Sequence, residues 1–185
     1  MRMKKRVLMI LADGFEEIEA LGTADILRRL HLEVVLAGLN KDKVTGAHNI
    51  AVIPDTSLEA VAGEDFDAVI LPGGMPGAAN LDADRMVDEV LQKASASGAV
   101  IAAICAAPYL LAKRGLLNGK VFTMYPGFDS ELCGLRYTDE PAEVSGRIVT
   151  GKGPGAVFAF SRALAGELGA ASECEELYRG MFIEK

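Results

Sequence analysis

The chain has no tryptophan, only two histidines (His31 and His48) and three widely spaced cysteines (Cys105, Cys133 and Cys174). Two histidines are too few for a His-rich metal centre. With no CxxC pair, the cysteines make neither a zinc site nor a disulfide framework. Apolar runs are short and interrupted by Gly, Pro or charge, well below the roughly 20 residues that a membrane-crossing helix needs. The basic start, MRMKK, precedes an apolar run of only Val7–Ala12, which ends in Asp13 and has no small-residue cleavage site. It reads as a first strand rather than a signal peptide, so a cytoplasmic address is the default. A net charge of −7 speaks against a surface that coats nucleic acid. With no repeat, low-complexity tract or linker, a single domain over residues 1–185 is expected, large enough for its own core.

What is present is an alternation. RVLMIL (6–11), EVVLAGL (33–39), DAVILPGG (67–74), AVIAAIC (99–105), KVFTMYP (120–126) and RIVTGKG (147–153) read as strands. Their nearly continuous hydrophobicity fits a parallel sheet covered on both faces. Helices are expected at about 16–30, 83–97, 106–114, 155–168 and 173–182, with short extra or edge strands in 50–58 and 142–148. Strand–helix alternation predicts a three-layer α/β sandwich with a mostly parallel central sheet. Ligands of such sheets bind beyond the carboxyl ends of the strands. Five of those ends carry unusual text: ADGFEEIEA, LPGGMPGAANL, ICAAP, TMYPGF and TGKGPGA.

After the first strand, Asp13 reads as a helix N-cap with Glu16 completing a capping box. Glu16 and Glu17 then sit in the first turn, where acidic side chains suit the helix dipole. Glu19 shares a row with Thr23, Ile26 and Leu30. A carboxylate there is either buried, with a raised pKa and acid–base potential, or a surface group on a frayed helix. Ile18 and Leu21 fall on the more polar side and suggest a self-association patch. The glycines of LPGGMPG, Gly73 and Gly74 among them, and those of GKGPGA read as close-approach turns and oxyanion donors. Neither segment has the GK[ST] ending of a phosphate loop.

Cys105 ends a strand and precedes a helix that opens near Pro108, an arrangement like the nucleophile elbow of α/β hydrolases. A helix N-terminus can lower a thiol pKa from about 8.5 to roughly 3.5–7.5. A small buried cysteine would give the same local text, and the residues alone leave both readings open. Cys133 and Cys174 lack this context and read as packing or surface thiols.

Taken in order and at these separations, DGFEEIEA, LPGG and AAICAAP resemble the ThiJ/PfpI superfamily. The likeness is closest to the branch of the Parkinson-disease protein DJ-one and its bacterial relatives. TMYPGF and GKGPGA fit the same pattern, so the resemblance spans nearly the whole chain. It implies a flavodoxin-like sandwich, a single domain like that of class I glutamine amidotransferases, and a homodimer built partly on the first helix through Ile18 and Leu21. It places the reactive cysteine on Cys105 and its partner carboxyl, protonated in the family, on Glu19. The backbone amides of Gly74 and Ala106 become the oxyanion hole, and no cofactor or metal is implied. The residue after the cysteine is Ala106 where peptidase-like members carry histidine, which argues against a protease and disfavours an amidotransferase-type hydrolase. Tyr125 stands where the best-studied branch has a histidine. His48 lies in the loop where some members place an arginine beside the cysteine, so it is a pocket-lining candidate or a surface histidine. The expected function is a cofactor-independent, stress-response enzyme for small α-oxoaldehydes or glycated adducts, with no nucleic-acid or membrane partner. The alternative is a non-catalytic redox sensor or chaperone in which Glu19 stabilises a Cys105 sulfinate.

Overall fold

Within RVLMIL the side chains alternate between two apolar clusters: Val7, Met9 and Leu11 enter one, Leu8 and Ile10 the other, and all five are fully buried. Because successive residues of a strand point to opposite faces, a strand with no polar face must be covered twice. The computed structural model describes residues 4–39, 42–127, 132 and 134–183; Cys133 lies outside them.

In chain order the elements are β1 (Arg6–Leu11), α1 (Glu17–Arg29), β2 (Glu33–Gly38), β3 (Val44–Thr45), β4 (Ala51–Val52), β5 (Thr56–Ser57), α2 (Leu58–Val61), β6 (Ala68–Leu71), α3 (Gly77–Asp82), α4 (Arg85–Ser97), β7 (Val100–Ile104), α5 (Pro108–Lys113), β8 (Val121–Phe122), β9 (Arg136–Tyr137), β10 (Ala142–Ser145), β11 (Ile148–Gly151), α6 (Val157–Glu167) and α7 (Ala171–Gly180). The central sheet runs β10-β11-β7-β6-β1-β2-β5, parallel throughout except for the antiparallel edge strand β10. One apolar cluster seals its first face with α1, α6 and α7, and the other seals the second face with α2 to α5. This is the expected α/β sandwich. None of the described helices is long and apolar enough to cross a membrane.

The order reverses at β1: β2 lies on one side of it and β6 on the other. Loops leaving β1 and β6 therefore part at this switch point and leave a crevice at the strands' carboxyl ends. Backbone bonds stitch the crevice walls, from Glu16 N–H to Gly73 O at 3.0 Å and from Gly77 N–H to Gly14 O at 3.1 Å.

Two expectations need correction. Residues 120–126 are not a strand of the central sheet. Only Val121–Phe122 is extended, and it pairs with Arg136–Tyr137 in a separate two-stranded sheet. Thr123 satisfies its N–H on Thr150 Oγ1 and donates its hydroxyl to Glu140 O, so side-chain bonds replace a ladder. The segment is apolar because Phe122 and Met124 are buried in the apolar cluster on the second face of the sheet, with Thr123 buried between them in sequence. Asp13 does not cap α1 either: its Oδ1 accepts the Thr45 N–H at 3.0 Å, and α1 starts at Glu17 with no side-chain cap. The short strands expected in 50–58 are present: β4 pairs with β3 outside the central sheet, and β5 extends the sheet edge beside β2.

Candidate active site

Cys105 follows β7 directly and has φ +65°, the left-handed region that a non-glycine residue enters at a cost of roughly 1–3 kcal/mol. Neighbours hold it there. Its N–H donates to Gly151 O and its carbonyl accepts the Tyr125 N–H, both at 2.9 Å. The reversal lifts the side chain out of the strand plane toward the loop after β6. There the backbone amides of Gly74 and Ala106 are directed at the sulfur.

Glu19 enters from α1 and is almost fully buried, with 1% exposure. Its Oε2 accepts the Gly73 N–H at 2.8 Å, and the carboxyl also hydrogen-bonds the Cys105 thiol. Its Oε1 has no conventional donor among the described residues. Gly73 makes this approach possible. An added Cβ there would lie 2.6 Å from Cys105 Cβ and 2.7 Å from Glu19 Oε2, so any side chain would push the pair apart. Gly74 has φ +88°, which turns its N–H toward the sulfur. Of the two glycine amides, Gly73's is therefore committed to Glu19, and Gly74's alone faces the thiol.

Electrostatically the pair behaves as one unit. Burial pushes the Glu19 carboxyl up to about 7, against the lowering hydrogen bonds of Cys105 and Gly73. Burial likewise pushes the Cys105 thiol up to about 12, reinforced by the charge and hydrogen bond of Glu19; the Gly74 and Ala106 amides offset only part of this. The amides at the elbow thus do not bring the thiol below its ordinary value. The pair passes through neutral pH with a single ionisation shared between carboxyl and thiol.

Glu17 is a residue that helix-turn reasoning passed over. Although in the first turn of α1, it is only 5% exposed. Its Oε1 accepts the His48 N–H and its Oε2 lies against His48 Nδ1, both at 2.7 Å. Burial opposes its charge, yet the His48 hydrogen bond and backbone amides hold the carboxyl below its usual value. The same bond raises the His48 imidazole above its own. Glu17 thus fastens the β3–β4 hairpin to α1, and no local pattern announces a contact between residues 31 positions apart. The contacts of exposed His48 run to Glu17 and, at 3.7 Å, to Glu16. The three ligand atoms lie within 4.8 Å of one another, close enough for a cation, but His48 and Glu17 already satisfy each other. Tyr125 is half-exposed, its backbone pinned to Cys105. Cys174 is fully buried in the α6–α7 layer.

The DJ-1/PfpI family model matches residues 5–167. Protein dj-1beta of Drosophila melanogaster is 39% identical over 184 residues, covering 98% of both chains. The crystal structure of Drosophila melanogaster DJ-1beta superposes with a TM-score of 0.94 at 38% identity, covering 99% of this chain and 100% of that one. A Caenorhabditis elegans protein named glutathione-independent glyoxalase DJR-1.2 is 32% identical over 183 residues, again with 98% of each chain covered. A protein named a deglycase, from Pyrococcus abyssi, is 32% identical over 160 residues, covering 85% of this chain and 95% of that one.

Proposed function

This chain belongs to the DJ-1/PfpI family, and from that premise we propose that it is a cofactor-independent, cysteine-dependent enzyme of the cytoplasm converting small α-oxoaldehydes to 2-hydroxy acids. The observation that carries this reading is the buried Glu19–Cys105 pair with two amides aimed at the sulfur. Relatives named glyoxalase and deglycase support the substrate class.

In the proposed reaction, Cys105 Sγ adds to the aldehyde carbon as its proton passes to Glu19, which sits in bonding contact and holds a carboxylate above pH about 7. Glu19 passes that proton to the former carbonyl oxygen, which completes a hemithioacetal and restores the carboxylate. Glu19 then takes the C1 hydrogen as a proton and delivers it to C2, while the hydroxyl proton on the C1 oxygen moves to the C2 oxygen. C1 is thereby oxidised to a thioester and C2 reduced to an alcohol, with no external redox partner. Water cleaves the thioester, releases the 2-hydroxy acid and restores the thiol. The Gly74 and Ala106 amides, already directed at sulfur, hold the oxyanion that forms on the carbon bonded to it. The test is lactate formation from methylglyoxal by the purified protein.

The same amides and carboxyl would also hold a Cys105 sulfinate, which favours redox sensing as the second reading. Under graded peroxide, intact-protein and peptide mass spectrometry should show a gain of about 32 Da on Cys105 ahead of Cys174, which is fully buried. Simultaneous oxidation of both would count against it.

We also propose a homodimer through α1. Ile18 is 60% exposed there, with exposed Ile50 and Ile53 on and beside the adjoining hairpin and Phe158 on α6, which packs against α1. Such neighbouring exposed apolar groups are costly for a monomer. Ile18→Asp should raise the dimer dissociation constant at least tenfold in analytical ultracentrifugation. An unchanged constant would place the interface elsewhere.

A further inference from the structure

Beyond Tyr125, on the carboxyl-end rim of the sheet, lies a half-open cleft of about 340 Å³. Its position relative to Cys105 is held by two short tethers. Tyr125 N–H bonds the Cys105 carbonyl, and Gly151, which accepts the Cys105 N–H, is two residues before Gly153 in the cleft wall. The Tyr125 ring lies beside the Gly153 backbone, where an added Cβ would make ordinary contact with Tyr125 Cδ2 at 3.4 Å. The walls are flat and rigid: the Tyr125 ring faces a cleft whose other sides include Pro126, Pro141 and Pro154. Rings with few rotatable bonds lose little entropy when they bind another ring. The polar groups stand in the wall as a neutralised pair, with Lys152 Nζ 2.6 Å from Asp139 Oδ1. Such a cleft does not recruit a charged group; it suits a flat, uncharged apolar one.

We infer that this cleft is the side-chain subsite of the enzyme and takes the aryl group of an aromatic α-oxoaldehyde. The inference rests on the reading of Cys105 as the aldehyde-binding thiol, and it turns a small-aldehyde enzyme into one that prefers a ring beside the dicarbonyl. Tyr125 is then the specificity-determining residue. In that place a tyrosine supplies a stacking face rather than an acid–base group.

The experiment compares phenylglyoxal with methylglyoxal in turnover and, separately, mandelate with lactate in calorimetric binding to the wild-type protein. The expected result is at least a tenfold preference for the aryl member in both kcat/KM and Kd, the discrimination an apolar pocket gives to added hydrocarbon. Gly155→Leu should fill the cleft, because an added Cβ at Gly155 meets nothing within 4 Å and the fold can accept it. Tyr125→Ala should remove the stacking wall from a half-exposed position. Each variant should cut both aryl preferences at least fivefold. No wild-type preference, or a preference that survives both variants, overturns the subsite. If neither aldehyde turns over while the mandelate preference stands and falls with the variants, the subsite holds and the glyoxalase reading is lost.

Discussion

Cys105→Ser is expected to lower lactate formation from methylglyoxal by about 10³-fold or more, the scale seen when a nucleophile is removed from a working constellation. A serine hydroxyl in the same place is a weaker acid and a poorer nucleophile than the thiol, and it would meet Glu19 with no further group to activate it. Serine also keeps φ +65°, so the backbone strain stays and the fold should lose little stability. Cys105→Gly separates the two roles. It removes the thiol and relieves the left-handed conformation, so it should be inactive yet more stable by about 1 kcal/mol, seen as a higher Tm. Serine turnover within about threefold of wild type would remove the thiol from the mechanism. A glycine variant less stable than wild type would show that Cys105 is held by packing rather than against strain.

Glu19→Gln should produce opposite changes in activity and stability. The amide keeps an acceptor for the Gly73 N–H but cannot carry a proton, so turnover should fall by about 10²–10⁴-fold. Wild-type activity should rise through pH about 7 as the pair loses its first proton, and the variant's residual rate should lack that limb. For stability the sign follows from proton binding. Between the ordinary glutamate range and about 7, folded Glu19 holds a proton that the unfolded chain has released. The contribution is full below the unfolded pKa and disappears as pH climbs through the folded one. A neutral glutamine has no such loss. Above pH 7 the variant should therefore gain on the order of 2–3 kcal/mol over wild type, while near pH 4 the two should be close. Thermal unfolding across pH 4–9 measures this. Equal pH dependence in both proteins would mean that Glu19 is not the buried ionising group.

Strand text reported the layering of this protein faithfully where a segment was apolar because it lay in the sheet, as in Arg6–Leu11 and Val100–Ile104. It misled at 120–126, because burial in the core beside the sheet produces the same apolar residues as burial in a ladder, and only hydrogen-bond partners tell them apart. Helical spacing placed Glu19 on a row with Thr23 and Ile26, and all three are buried in the structure. Spacing could not separate Glu17 from Glu16, since what buries Glu17 is a hairpin far along the chain.

By itself, then, the order of residues determined the α/β sandwich, the family, and four of the five loop segments assigned to the strands' carboxyl ends; the fifth, TMYPGF, follows no strand of the central sheet. Those properties follow from periodicity and local chain chemistry, which each segment carries within itself. Only the tertiary structure decided the state of the thiol. Proximity to a helix start left an acidic cysteine and a small buried one equally open, whereas in the fold desolvation and the Glu19 carboxyl push the thiol up to about 12. A pKa is set by every charge and dipole within a few ångströms and by the water excluded around it. Here those neighbours come from α1, β6, β7 and their loops, which meet only when the sheet has formed.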